Sequence, residues 1–210
     1  VTVKSDNECA ERTKTFTIKV KNNPTVTLDL PTACTGNSIT TSDKNVKYTW
    51  NNVEGMKPTW SAVPSDGVEF SNINTEYPTI KYTKEGTYTI RVDMPDAGCG
   101  AKAYAEKQVV VYDSNFTLDI KQLNDNICEN NTVTYKNNTQ TTENLKYTWT
   151  VTPNTGVTIS NAQVGEPKIT FKELGNYTVK VVANGLCGDK EQTFNVRVNK
   201  DPEVKLEDLG

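Results

Sequence analysis

Residues 146–188 read KYTWTVTPNTGVTISNAQVGEPKITFKELGNYTVKVVANGLCG, and residues 57–100 read KPTWSAVPSDGVEFSNINTEYPTIKYTKEGTYTIRVDMPDAGCG. They are one pattern written twice. Trp60 aligns with Trp149, Pro64 with Pro153, Gly67 with Gly156, Pro78 with Pro167, Gly86 with Gly175 and Tyr88 with Tyr177, always 89 positions apart. Cys99 and Cys187 follow at an offset of 88, after one deletion. A match that fixes Trp, Pro, Gly and Tyr together over this length is the mark of a tandem array.

The flanks continue the pattern. VTVKSDNECAERTKTFTIKV at 1–20 resembles YTVKVVANGLCGDKEQTFNVRV at 177–198, and NPTVTLDL at 23–30 recurs as SNFTLDI and as DPEVKLEDL at 201–209. The expected organisation is therefore the last two strands of a preceding repeat (1–22), two full repeats (23–112 and 113–200), and the first strand of a following one (201–210).

Within each repeat the hydrophobic period is two. Val26–Leu30, Ser38–Thr41, Thr59–Val63, Val68–Phe70, Thr79–Tyr82, Thr87–Met94 and Gln108–Tyr112 read as strands of the first repeat. Phe116–Ile120, Thr132–Tyr135, Leu145–Val151, Val157–Ile159, Lys168–Phe171, Asn176–Ala183 and Thr193–Val198 read as those of the second. Seven short strands with turns every 8–12 residues predict an all-β chain of tandem immunoglobulin-like sandwiches, arranged head to tail. Trp60 and Trp149 on strand C are the expected core anchors, and Tyr88 and Tyr177 the expected corner tyrosines.

Composition agrees. Thr (31) and Asn (23) make up about a quarter of the 210 residues, a mixture of strand formers and turn formers. The net charge of −3 comes without a basic cluster, which argues against nucleic acid as a partner. No apolar run approaches the ~18 residues of a membrane span, so no membrane insertion is expected of this segment. Histidine is absent, which removes Ser-His-Asp and Cys-His nucleophilic sites and His metal sites. Among the carboxylates no pair stands out as an acid/base couple, and no catalytic activity is expected.

YTWTVTP…G at 147–156 followed by PKITFKELGNYTVKVVANGLCG at 167–188 resembles the polycystin-type (PKD-like) immunoglobulin-fold repeats of large bacterial surface proteins. Such repeats carry a strand-C Trp, a G-x-Y-T-V-x-V strand F, a Cys-Gly in the next hairpin and a Cys before strand B. The W-x-F-G-D-G motif of the best-known form is missing here. The resemblance is to the cysteine-bearing branch of secreted Bacteroidetes-type adhesins and gliding-motility proteins, and it implies an extracellular, cell-surface setting without naming a ligand.

The cysteines do not sit where the familiar immunoglobulin disulfide does, because Ile90 and Val179 occupy the position two after each corner Tyr. Cys34 and Cys128 are read in the A–B turn, Cys99 and Cys187 in the F–G hairpin. Those are opposite ends of a sandwich, roughly 25 Å apart along strand F, whereas a disulfide needs Cα atoms within about 7 Å. Three arrangements stay open: Cys34–Cys99 with Cys128–Cys187 inside each repeat; Cys34–Cys187 between repeats, which by the same rule joins Cys128 to the repeat after and Cys99 to the repeat before; or unpaired thiols. Cys9 is the odd one, its partner expected upstream. Disulfides of either kind place the protein outside the cytosol.

Lys44–Met56 is where the first repeat is longer, Cys34 to Trp60 spanning 26 positions against 21 from Cys128 to Trp149. Tyr48, Trp50 and Met56 there form either an exposed apolar patch for a glycan or protein ligand, or an extended strand that packs Trp50 on the sandwich. Asp66, Glu69, Asp93 and Asp96 lie near loops where calcium binds in related sandwiches, yet no D-x-D-x-D run accompanies them, and no cofactor is expected. The reading that results is a structural stalk segment of a repeat-built adhesin whose partners are its neighbouring repeats, with any ligand held elsewhere in the parent. A binding module and an accessory region of a secreted hydrolase are the alternatives.

Overall fold

The computed structural model describes residues 1–5, 12–20, 22–51, 56–96, 100 and 102–202. Cys9 and Cys99 lie outside these residues, as does the terminal strand expected at 201–210 beyond Pro202. The described residues form strands and turns and no helix. At the start, β1 (Thr2–Ser5) and β2 (Arg12–Thr15) pair antiparallel, Thr2 facing Thr15.

The first repeat supplies β3 (Val26–Asp29), β4 (Ala33–Cys34), β5 (Ser38–Thr40), β6 (Lys47–Trp50), β7 (Thr59–Val63), β8 (Val68–Phe70), β9 (Thr79–Tyr82), β10 (Gly86–Met94) and β11 (Ala103–Tyr112). The second supplies β12 (Ile120–Gln122), β13 (Asn126–Cys128), β14 (Thr132–Asn137), β15 (Lys146–Thr152), β16 (Val157–Ile159), β17 (Lys168–Phe171), β18 (Gly175–Gly185) and β19 (Gly188–Asn199). In the second repeat one sheet runs β12-β14-β17-β16 and the other β13-β19-β18-β15. In the first, β4-β11-β10-β7 repeats the second of these, while the other sheet is divided into β5-β9-β8 and β3-β6.

Alternation decides what is buried. Along β18 the inward Tyr177, Val179, Val181 and Ala183 are 4% exposed or less, and along β10 Tyr88, Ile90, Val92 and Met94 match them. Trp60 and Trp149 are 1% and 2% exposed, so neither ring offers a face to a ligand. Each Trp indole donates to a carbonyl fifteen residues on, Thr75 O at 3.1 Å and Val164 O at 2.8 Å. Lys168 N–H donates to Ser160 Oγ as Thr79 N–H does to Ser71 Oγ, and the peptide bonds before Pro64 and Pro153 are both cis. The two copies thus share hydrogen bonds as well as residues.

Three expectations are corrected. Strand B of the first repeat is interrupted: β5 pairs with β9, residues 41–46 turn, and β6 pairs instead with β3, Val26 facing Trp50. The extra residues of this repeat are accommodated by restarting the strand, so Tyr48 packs on Trp60 (ring centroids 5.0 Å apart) as Tyr135 packs on Trp149 (4.7 Å). In the second repeat the strand expected over 116–120 begins only at Ile120. Phe116 is buried outside the ladder with the Lys190 ammonium over its ring, and the Gln192 amide accepts from Ile120 N–H and donates to Ile120 O. Finally, Cys34 and Cys128 belong to strands rather than turns. β4 runs parallel to the end of β11 and β13 to the end of β19, the last strand (G) of each repeat, with Cys34 opposite Tyr112 and Cys128 opposite Asn199.

The chain forms two compact units whose limits do not follow the repeats. The first holds the described residues of Val1–Pro31, Ser38–Ile80 and Tyr88–Val109, and the second those of Thr32–Asn37, Lys81–Thr87 and Val110–Gly210. Short pieces of the first repeat are therefore packed with the second, and the reason lies in the side chains described next.

Candidate functional site: the Cys34–Cys187 clasp

Within the second unit, Cys34 and Cys187 form a disulfide with Cα atoms 5.6 Å apart, at a sequence separation of 153. Each cysteine is held by its own strand. β4 is kept against β11 by the parallel register and by Thr35 N–H donating to Tyr112 O at 2.9 Å. The Thr35 hydroxyl then lies within hydrogen-bond distance of Ser114 Oγ (3.0 Å) and of Asp113 Oδ1 (3.3 Å), while Ser114 Oγ also lies 3.0 Å from Thr35 O. Residues that follow strand G in sequence are in this way tied to the strand that precedes B.

Cys187 sits at the tip of the β18–β19 hairpin, whose ladder continues to the Gly185–Gly188 pair and leaves Leu186 and Cys187 as a two-residue loop. Gly188 has φ +121°, a value that only glycine adopts readily, which is why this tight loop is closed by Gly. Tyr112 O stands 3.9 Å from Cys187 Sγ. The hairpin tip is held from behind by Glu143, 8% exposed, whose Oε1 accepts from Leu186 N–H. A Cβ on Gly185 would stand 2.9 Å from both Glu143 carboxylate oxygens, so a larger residue here would oblige the end of the Glu143 side chain to shift away from the hairpin. Glu143, Thr35 and Ser114 have no distinguishing pattern in the sequence. The position of Cys187 in the hairpin is the part the sequence made legible.

The pairing inside the second repeat, Cys128 with Cys187, is not formed, because Cys187 is bonded to Cys34 and the Cys128 thiol is free. Cys34 likewise is not joined to Cys99. A hydrogen bond to the Asp201 carboxylate pushes the Cys128 thiol above its ordinary pKa, with partial desolvation and the charges of Asp201 and Glu129 adding in the same direction.

The other candidates disperse. Tyr48 and Met56 are both 9% exposed and Trp50 is half-buried on β6, so they form a strand and core surface, not an open patch; residues 52–55 of that segment lie outside the described ones. The Tyr48 ring also meets Tyr77 edge-on at 5.9 Å, and burial raises its hydroxyl pKa. Tyr177 does act as a corner tyrosine, its hydroxyl donating to Glu173 O at 2.9 Å. Asp93 is held bidentately by Arg91 (2.6 and 2.7 Å), which stacks on the Tyr104 ring at 3.9 Å and also reaches Glu106. Asp96 accepts from Gly100 N–H. Among the described residues no three His, Cys, Asp or Glu side chains are placed to hold a metal ion.

Two sheets of this order, built on alternating strands and a strand that crosses to pair parallel with G, define a chain of tandem immunoglobulin-like domains. Residues 117–198, most of the second repeat, match the family model of the PKD-like domain. Among solved structures, the chain is similar to the I-band fragment I67–I69 of titin (15% identity, TM-score 0.53, covering 85% of this chain and 66% of that one). It is also similar to extracellular domains 3–5 of Drosophila OTK (12%, TM-score 0.53, 91% and 67%). A third likeness is to immunoglobulin domains 1–4 of Sidekick-1 (13%, TM-score 0.51, 95% and 57%). At these identities the likeness concerns the fold, and the chain spans 57–67% of these three fragments. No curated protein matches the chain.

Proposed function

We propose that this chain is a stretch of an extracellular stalk, a structural spacer that carries tension within a longer repeat-built adhesin of the kind used in surface attachment or gliding. The observation that supports it is the disulfide. It joins a strand of the first sequence repeat to the hairpin of the second, and so closes a 153-residue segment against extension. A chain pulled from its ends transmits force through covalent bonds, and the path from residue 34 to residue 187 runs through two sulfur atoms. The backbone between those two residues is then spared the end-to-end load, which passes instead through the strands outside it, β3 and β19. Such a bond persists in an oxidising compartment and not in a reducing cytosol, which favours a location outside the cell. The neighbouring repeats are the partners in this reading, and the adhesive surface belongs to another part of the parent protein.

Single-molecule stretching tests it. With the bond intact, full extension leaves out the 153 closed residues; reduction should add roughly 500–550 Å of contour length, at ~3.3–3.6 Å per residue. An oxidised chain that extends as far as the reduced one would refute the role assigned to the bond.

A further inference from the structure

Cys34 and Cys128 occupy one position in two copies of the same backbone. Thr35 N–H donates to Tyr112 O at 2.9 Å, and Glu129 N–H to Asn199 O at 3.0 Å. Gly36 N–H donates to Tyr82 O at 2.8 Å, and Asn130 N–H to Phe171 O at 2.7 Å. Asn37 N–H returns to Cys34 O at 3.1 Å, and Asn131 N–H to Cys128 O at 3.2 Å. Tyr82 N–H closes the ring on Asn37 O at 3.3 Å, as Phe171 N–H does on Asn131 O at 3.1 Å. The middle residue of each turn is left-handed, Gly36 at φ +81° and Asn130 at φ +65°, and Asn130 is the one described non-glycine residue with positive φ. Asparagine tolerates that conformation better than most residues, at a cost of order 1 kcal/mol, so the turn is kept in the second copy even without glycine. What differs is the sulfur: Cys34 is bonded to a hairpin cysteine, and Cys128 carries a free thiol.

We propose that Cys128 is a second disulfide site, closed by the hairpin cysteine of a further repeat of this kind, in the position that Cys187 holds toward Cys34. The inference rests on the stalk reading for the presence of that repeat. The chemistry is thiol–disulfide exchange with a small-molecule disulfide of the glutathione type. The Cys128 thiolate attacks it, expels one thiol and forms a mixed disulfide; the hairpin thiolate then attacks the Cys128 sulfur and expels the second thiol. The two cysteines together lose two electrons and two protons, and the small disulfide gains them. The segment so closed would begin at residue 128, inside the one that ends at residue 187. Successive staples therefore overlap along the chain, each beginning before the last has ended, and no stretch between them is left to extend freely.

The test is the full chain with one further copy of residues 113–199 inserted between Asn199 and Lys200, so that Asp113 of the copy follows Asn199 as it follows Tyr112, the copy carrying Lys136→Arg and Lys190→Arg so that its Cys128 and Cys187 peptides differ in mass from the originals. The chain is oxidised in glutathione buffer, alkylated without reduction and mapped by mass spectrometry. The expected map has Cys34–Cys187 intact, Cys128 bonded to Cys187 of the copy, and Cys128 of the copy alkylated. In the same chain carrying Cys128→Ser, Cys187 of the copy should become alkylatable while Cys34–Cys187 persists. The proposal is overturned if the original Cys128 is alkylated while Cys34–Cys187 is intact, or if Cys128 of the copy bonds to Cys187 of the same copy. Retention of Cys34–Cys187 reports that the lengthened chain has folded. If it is lost, the unlengthened chain decides: Cys128 should take up glutathione from glutathione disulfide while Cys34 and Cys187 stay bonded, and a Cys128 that takes up none overturns the proposal. Stretching of the unlengthened chain tests the stalk reading alone, so the two can fail separately.

Discussion

Replacing Cys34 and Cys187 together by serine should destabilise the second unit by several kcal/mol, although neither side chain belongs to the hydrophobic cluster around Trp149. Both cysteines lie in that unit, so the bond restrains its unfolded state directly. In the chain-entropy treatment a closed loop of 153 residues removes about 17 cal/mol/K from the unfolded ensemble, or about 5 kcal/mol at 25 °C. The dependence on loop length is logarithmic. If the first unit stays folded and shortens the flexible part by half, the figure falls by only about 0.6 kcal/mol. The assay is urea-dependent amide exchange, read by mass spectrometry on peptides from β18 and β19, which report this unit and not the first. With a denaturant slope of about 2 kcal/mol/M, the midpoint for those peptides should drop by roughly 2 M or more. The double substitution avoids leaving an unpaired thiol, and reduction of the unsubstituted chain should reproduce the shift. A loss below about 1 kcal/mol would refute the reasoning, since it would mean that the unfolded chain is not restrained by the bond.

Tyr177→Phe removes the hydroxyl that donates to Glu173 O and should cost about 1 kcal/mol. Tyr135→Phe removes a buried hydroxyl with no hydrogen-bond partner, so stability in urea should hold or rise; equal losses for the two would contradict the assignment. Gly185→Ala places a methyl group 2.9 Å from the Glu143 carboxylate oxygens; as the carboxylate swings away from Leu186 N–H, amide exchange there should speed up at least tenfold, the loss expected for a charge-assisted bond of about 1.5 kcal/mol or more. Cys128 holds its proton to a higher pH than an ordinary thiol, chiefly through Asp201. Its alkylation by iodoacetamide should therefore be slow at pH 7, accelerate as pH rises, and become faster at pH 7 in Asp201→Ala, whereas an unchanged rate would show that Asp201 does not hold the thiol.

How much was legible follows from the range of each interaction. Ile90, Val92, Val179 and Val181 face inward because side chains alternate along a strand, and that alternation is written in the residues themselves. So are the two repeats, the Trp anchors on strand C, the corner role of Tyr177, and the hairpin position of Cys187. The interruption of strand B was visible only as extra length. Whether Tyr48 and Met56 packed inward or formed a patch depended on which strand β6 would pair with, and β3 is a partner some twenty residues away.

The clasp belongs to the other class. Spacing brought Cys34 and Cys187 into consideration but left two pairings open, because a disulfide depends on a distance in space that sequence separation does not determine. The parallel seating of β4 on β11, the Thr35–Ser114 contacts and the Glu143 carboxylate behind the hairpin bring the two sulfurs together. Each joins residues dozens of positions apart, with no periodicity to announce it. Local pattern determined that this chain is a series of sandwiches; only the tertiary structure decided which cysteine closes which segment, because that choice is made by contacts between strands that are distant in sequence.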